Sequence, residues 1–174
     1  MNLIPGAPTW LVALLFAAMV AGAVEDFVRL RISNYTCLAI LVLAVVGIFM
    51  HGFSPSLWEN AVVFLVLLGA GTLLFAAGKM GGGDVKFLAC LGLWVSISAG
   101  VWLLASTLLA GGLLAVIYIL VRVSRGTVKI GKKYESKGIP YGIAIAAGAS
   151  LVFAGQLGLF VSKPVNPLDV RSLH

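Results

Sequence analysis

Residues 57–86 read LWENAVVFLVLLGAGTLLFAAGKMGGGDVK. From 57 to 77 this stretch is almost wholly apolar, and its one charged side chain is Glu59, close to the start. A helix needs roughly 20 apolar residues to cross the hydrocarbon core of a bilayer. The stretch therefore predicts a membrane-spanning helix, followed by a glycine-rich break that ends in an aspartate, Asp84.

The rest of the chain has the same character. Of its 174 residues 61% are apolar and 10% are charged, and the mean hydropathy is +1.10. Soluble globular domains have about 45–50% apolar and about 25% charged residues, and disordered chains have too little apolar surface to bury. The composition therefore excludes both classes and predicts a polytopic membrane protein. The two cysteines, Cys37 and Cys90, form no CxxC or Cys/His cluster, so we expect neither a disulfide framework nor a zinc site.

Six apolar runs predict six helices, with loops rich in charge or glycine between them, at approximately 8–24, 36–50, 57–77, 85–98, 101–121 and 140–161. The fourth run is too short for an ordinary crossing, so we expect it to be short, tilted or partly re-entrant. No basic residue precedes Glu25, so the first run lacks the n-region of a secretory signal and is expected to remain as a span. We expect an all-α fold of about six transmembrane helices, forming a single domain over 1–174 with no separate soluble domain.

Lysine and arginine predict how the chain is oriented in the membrane. Ten of the twelve lie in the loops after the first, third and fifth runs, and only Lys163 and Arg171 lie on the other side. By the positive-inside rule, both termini face away from the cytoplasm. We expect the basic segment 122–138 to lie against anionic lipid headgroups, or alternatively to act as a gate for substrate. Because topology and lipid account for the basic residues, we expect no nucleic-acid partner.

Two of the six acidic residues need an explanation. Four lie near helix ends, in the basic loop or in the polar tail: Glu25, Glu59, Glu135 and Asp169. Asp26 and Asp84 instead fall at the predicted cytoplasmic boundary, where acids beside apolar segments are costly and usually functional. Two neighbouring carboxylates in a poorly hydrated site do not readily ionise together. The ionised one can then take a proton from water while the protonated one polarises a carbonyl. This pattern predicts an aspartic peptidase that uses no metal and no cofactor.

The residues around Asp84 have a mechanical interpretation. Gly81, Gly82 and Gly83 permit positive φ angles and close approach of another backbone, so we expect them to shape the path of an extended peptide substrate. Lys86 is expected to tune or orient the acid pair. A phosphate-binding loop is the competing interpretation, but Asp84 stands where an anion needs a lysine or a hydroxyl.

Purely structural roles remain open for the charged residues. Asp26 could cap the second helix or pair with Arg29. Asp84 could be the N-cap of the fourth helix, and Lys86 could extend to the membrane interface.

Three motifs resemble those of one enzyme family, the prepilin peptidases, which are intramembrane aspartic proteases of the GxGD type. Residues 80–86, MGGGDVK, resemble the Gly-x-Gly-Asp motif. Asp26 followed by Ile32-Ser33-Asn34 resembles the first aspartate motif, in which Ile-Pro-Asn is common. Ser33 takes the place of that proline, which we expect to affect the turn more than the chemistry. Residues 139–142, IPYG, resemble the Pro-Tyr/Phe-Gly segment that opens the last span.

The resemblance implies removal of short basic leader peptides from type IV pilin-like precursors, with Asp26 and Asp84 as the catalytic residues. The site would lie at the cytoplasmic face of the bacterial inner (cytoplasmic) membrane. The chain lacks the cysteine-containing insertion linked to N-methylation, so it resembles the short form found with Flp or tight-adherence pili and with archaeal preflagellin peptidases. No methyltransferase activity is expected. Two other functions stay open: a small ion-coupled transporter, and a non-catalytic assembly factor of a pilus or secretion machine.

Overall fold

The computed structural model describes residues 1–52, 54–124 and 141–158. After a short 3-10 turn at Ile4–Gly6, this part of the chain forms six α-helices and no strand. The helices are α1 (Thr9–Arg29), α2 (Asn34–His51), α3 (Leu57–Ala76), α4 (Gly82–Gly92), α5 (Ile97–Ser124) and α6 (Tyr141–Gln156). The predicted all-helical fold is confirmed, and each predicted apolar run corresponds to one helix.

The helices fall into two length classes. α1, α2, α3 and α5 are long and apolar enough to cross a membrane, so the protein is a multi-pass membrane protein. α6 has 16 residues and α4 has only 11. At about 1.5 Å per residue, α4 extends about 16 Å, roughly half of a hydrocarbon core about 30 Å thick. The prediction of a short fourth helix is confirmed.

The short helices are enclosed by the long ones. α4 packs against α2, α3 and α6, and α6 also packs against α1 and α5. Most of α4 is buried, and the side chains of Phe87 and Leu91 have no exposed surface. α5 instead exposes large apolar side chains such as Trp102 and Leu109. In a bilayer this outer surface faces lipid tails, so the long helices form an apolar wall around α4.

The turn that joins α4 to α5 is held by polar groups from elsewhere in the chain. Four hydrogen bonds do this: Asn60 Nδ2 to Leu93 O (2.8 Å), Leu3 N–H to Trp94 O (3.0 Å), Ser96 N–H to Asn2 Oδ1 (3.0 Å), and Ile97 N–H to Glu59 Oε2 (3.2 Å). Asn60 is 1% exposed. Unpaired backbone groups cost several kcal/mol in an apolar medium, so these partners allow the chain to turn between α4 and α5.

The predicted basic loop starts later than expected. α5 continues to Ser124, so the segment predicted to begin at residue 122 is still helical for its first three residues. Residues 125–138 lie outside the described part of the chain, and with them lie the predictions of headgroup contact and of a gate.

The backbones of α5 and α6 approach each other closely at Gly148. A Cβ added at Gly148 would lie 2.7 Å from the backbone nitrogen of Thr107 and 2.8 Å from its Cα atom. Ser106 Oγ donates a hydrogen bond to the Gly148 carbonyl at 3.0 Å. Small residues allow such approaches between membrane helices, so this crossing depends on the glycine.

We expect Gly148→Ala to destabilise the protein by about 1–3 kcal/mol, because the new methyl group has to push two backbones apart. Thermal unfolding in detergent micelles measures this as a lower Tm. Gly155→Ala is the matched control, since Gly155 lies on the same helix and an added Cβ there meets nothing within 4 Å. Equal Tm values for the two variants would contradict the prediction.

Candidate active site

Asp26 lies in the last turn of α1 and is 3% exposed. The chain turns at Leu30, whose φ of 52° is left-handed, and α2 begins at Asn34. The N-cap of α2 is Ser33, whose Oγ accepts the Thr36 N–H at 3.2 Å. Asp26 therefore does not cap α2. Within the described residues it also forms no ion pair with Arg29; the ion pair found there joins the Met1 ammonium to Glu59.

The carboxylate of Asp26 receives a hydrogen bond from the start of α6. The Gly142 N–H donates to Asp26 Oδ2 at 2.6 Å, inside the protein and across 116 positions of sequence. The positive end of the α6 dipole favours negative charge at this place. A Cβ added at Gly142 would lie 2.9 Å from Asp26 Cβ and 2.8 Å from Ile32 Cδ1. The third sequence motif thus contacts the first aspartate, and only a glycine fits there without displacement.

Asp84 lies in the first turn of α4 and is 8% exposed. The N-cap of this helix is Gly81, so the interpretation of Asp84 as the N-cap is wrong. Its carboxylate turns back toward Gly81, where an added Cβ would lie 2.7 Å from Asp84 Oδ2. Ile32 packs against Gly83, which precedes Asp84, and against Gly142, which binds Asp26. The structure therefore brings the two predicted acids together at one end of the bundle.

Ile32 lies beside both aspartates. Its side chain occupies the place next to Gly142 where a Cβ of that residue would stand. Its carbonyl oxygen is 2.9 Å from the position that a Cβ of Gly83 would take. The turn between α1 and α2 is therefore packed against the first turn of α4 and the first turn of α6. Gly83 allows the approach on one side and Gly142 allows it on the other.

A cavity of about 320 Å³ opens beside Asp84, lined by Leu30, Arg31, Ile32 and residues 81–84. All three glycines of the predicted substrate path line it. The run does not use the positive φ angles that glycine permits, because Gly81 has a φ of −72° and the described glycines with positive φ are Gly52, Gly78 and Gly158. The run begins a helix instead, and the missing side chains provide room for neighbouring backbone.

Two further contacts fasten the first turn of α4 to α2. Lys86 Nζ donates to Asn34 Oδ1 at 2.9 Å, and Cys37 Sγ lies 3.9 Å from the Gly83 carbonyl oxygen, to which it donates. Lys86, which follows Asp84 by two positions in the sequence, thus reaches the first residue of α2. Within the described residues, no group of three or more His, Cys, Asp or Glu side chains is placed to hold a metal ion.

Glu25 is the polar residue whose contacts were not foreseen. The sequence places it only near a helix end, but in the structure its carboxylate accepts hydrogen bonds from Ser33 and Thr36. One of the donors is the Ser33 N–H, which a proline at this position would lack. The spacing of Ser33 and Thr36, typical of an N-cap and its third helical position, predicts the start of α2 but no partner in α1.

A comparison with protein families matches the type IV leader peptidase family over residues 13–120. This range is more than half of the chain and contains both Asp26 and Asp84. The chain belongs to that family. Membership implies leader peptidase activity on prepilins, so the protein is a peptidase, and the resemblance stated from the motifs is confirmed. No curated protein and no solved structure matches the chain.

We expect Gly142→Ala to lower the rate of prepilin cleavage by about tenfold to a hundredfold, because a shift of about 1 Å at a reacting group has effects of that size. The added methyl group would displace Asp26 or Ile32. Gel analysis of a co-expressed precursor measures the rate. Gly112→Ala on α5, where an added Cβ meets nothing within 4 Å, should cleave like wild type, and equal rates for both variants would contradict the expectation.

Proposed function

We propose that this leader peptidase is an aspartic endopeptidase in which Asp26 and Asp84 together activate a water molecule. The observation that carries the proposal is that these two buried carboxyl groups, from helices far apart in sequence, lie on either side of Ile32, and that Asp84 also lines a cavity. Acidic residues enclosed by apolar helices are costly and usually have a task. In this proposal helices α1 to α6 form one peptidase domain.

The two acids have different surroundings, and this difference supports a different protonation state for each of them. Asp26 accepts the Gly142 N–H at the start of α6, and such a donor favours a carboxylate. Asp84 lies beside that charge, so Asp84 holds the proton. Asp26 takes a proton from water, the water oxygen attacks the scissile carbonyl carbon, and Asp84 gives its proton to the carbonyl oxygen. Asp26 then passes the proton that it took from water to the leaving nitrogen as the C–N bond breaks, and Asp84 recovers a proton from a hydroxyl group of the tetrahedral intermediate.

The substrate in this proposal is the short basic leader of a type IV pilin-like precursor. An extended peptide entering the cavity would pass the side-chain-free surface of Gly82 and Gly83 and reach Asp84. The paired acids supply negative charge close to a basic leader. The resemblance to short-form members points further to Flp-type precursors and to cleavage without N-methylation.

We place the site at the cytoplasmic face of the inner membrane. The described basic residues gather at the end of the bundle that holds the acids: Arg29 and Arg31 follow Asp26, while Lys79 and Lys86 flank the glycine run. The opposite end carries the carboxylate of Glu59. Basic residues next to spans mark the cytoplasmic side.

Asp26→Asn and Asp84→Asn are each expected to lower cleavage by about a thousandfold or more, since loss of one member of a catalytic unit disables the whole unit. The measurement is conversion of a co-expressed precursor, with membrane insertion of each variant checked on a blot. Glu59→Gln makes the same carboxylate-to-amide change at the other end of the bundle and should leave cleavage close to wild type.

Full cleavage by either aspartate variant would refute the two-acid mechanism. A wild-type chain that cleaves none of several precursors would favour the transporter or the assembly factor instead.

The orientation has its own test in a Cys37→Ala/Cys90→Ala background. We expect Lys79→Cys to react with a membrane-impermeant maleimide in inverted vesicles, and Ser54→Cys to react in right-side-out vesicles. These residues lie at opposite ends of α3, so each is the control for the other. The reverse pattern would place the acids on the outer face.

A further inference from the structure

We propose that Glu25 is a positioning residue that fixes the turn between α1 and α2, and through this turn the geometry of the two aspartates. The inference rests on the function proposed above for Asp26 and Asp84. Glu25 precedes Asp26 in the sequence, but its carboxylate binds the first turn of α2, so its hydrogen bonds go to neither the acid pair nor the cavity lining.

Both carboxylate oxygens of Glu25 are used. Oε2 accepts the Ser33 N–H at 2.9 Å and the Thr36 hydroxyl at 2.9 Å, and Oε1 accepts the Ser33 hydroxyl at 3.1 Å. Hydrogen bonds to an ionised carboxylate are roughly twice as strong as neutral ones. One side chain of α1 therefore holds a backbone group and two side chains at the start of α2.

The turn that these bonds close needs support. Leu30 has a φ of 52° and is the one non-glycine residue with positive φ in the described chain, a conformation that is unfavourable for a residue with a Cβ atom. At one end of the turn the Leu30 N–H donates to the Asp26 carbonyl at 2.8 Å. At the other end Ser33 is bound by Glu25. Three residues between fixed ends leave the backbone little freedom.

Those three residues are Leu30, Arg31 and Ile32, and they form one wall of the cavity. Ile32 is also the residue packed against Gly83 and Gly142, next to the two aspartates. A movement of the wall therefore displaces the first turn of α4 and the Gly142 amide that binds Asp26. Glu25 acts on the site through this one packed side chain.

The reactivity of the Cys37 thiol measures the packing beside the cavity wall independently of substrate cleavage. Cys37 lies in the first turn of α2, is 5% exposed, and donates to the Gly83 carbonyl. The chain has two cysteines, so Cys90→Ala leaves Cys37 as the single thiol. The rate at which it reacts with a small uncharged maleimide reports whether the first turn of α2 stays packed against α4.

The experiment compares Glu25→Gln with Glu59→Gln, both in the Cys90→Ala background and in lipid nanodiscs. An amide accepts hydrogen bonds through only one atom, so Glu25→Gln loses one of the two acceptor oxygens without a change of size. We expect Cys37 to react at least about tenfold faster in Glu25→Gln, and kcat for precursor cleavage to fall about tenfold or more. Glu59→Gln should match the parent in both measurements, because the contacts of Glu59 in the described chain go to Oε2 and an amide keeps one acceptor oxygen.

Thr36→Val removes one of the three hydrogen bonds and is the milder second variant if Glu25→Gln does not fold. We expect it to give a smaller change in the same direction, and to add little to Glu25→Gln because the two residues share one contact. An unchanged thiol rate in Glu25→Gln or, where that variant does not fold, in Thr36→Val overturns the positioning role. If the parent chain cleaves no precursor, the proposed function is refuted instead. The reaction rate of the Cys37 thiol then still tests whether Glu25 holds the first turn of α2 in place.

Discussion

The structure depends on one constraint: α4 is too short to cross a bilayer, so its C-terminal backbone groups have to find partners inside the protein. Hydrocarbon offers them none. Asn60 from α3 and the segment around Asn2 and Leu3 supply these partners. Because that end is satisfied, the helix can stay enclosed by longer helices. Its other end then holds Asp84 in place beside a cavity.

The site is assembled where three helix ends meet. α1 brings Asp26, α4 brings Asp84, and α6 brings the amide of Gly142. Each close approach occurs at a glycine, because a Cβ would collide with Ile32 or with a carboxylate. The small residues here serve packing rather than flexibility. Rigid placement of this kind is what a reaction between two acids, a water molecule and a peptide bond requires.

The sequence predicted those features that arise from local composition. Apolar runs marked the six helices, and acids beside apolar segments singled out Asp26 and Asp84. It could not predict contacts between distant positions, such as Gly142 with Asp26. Glu25 was missed because nothing local distinguishes a solvated carboxylate from one that binds a neighbouring helix. The glycines before Asp84 permit both positive φ angles and close approach, and only the structure shows that close approach is the property used.

The bond between Asp26 and Gly142 also has a consequence for biosynthesis. Its donor is translated 116 residues after its acceptor, so α1 enters the membrane while its buried acid has no lasting partner. Because Asp26 lies only three residues before the end of α1, the nascent helix can keep this carboxyl group at the headgroup level until α6 arrives. In the proposed mechanism, a newly made chain is therefore incomplete as an enzyme until its last described helix has been inserted.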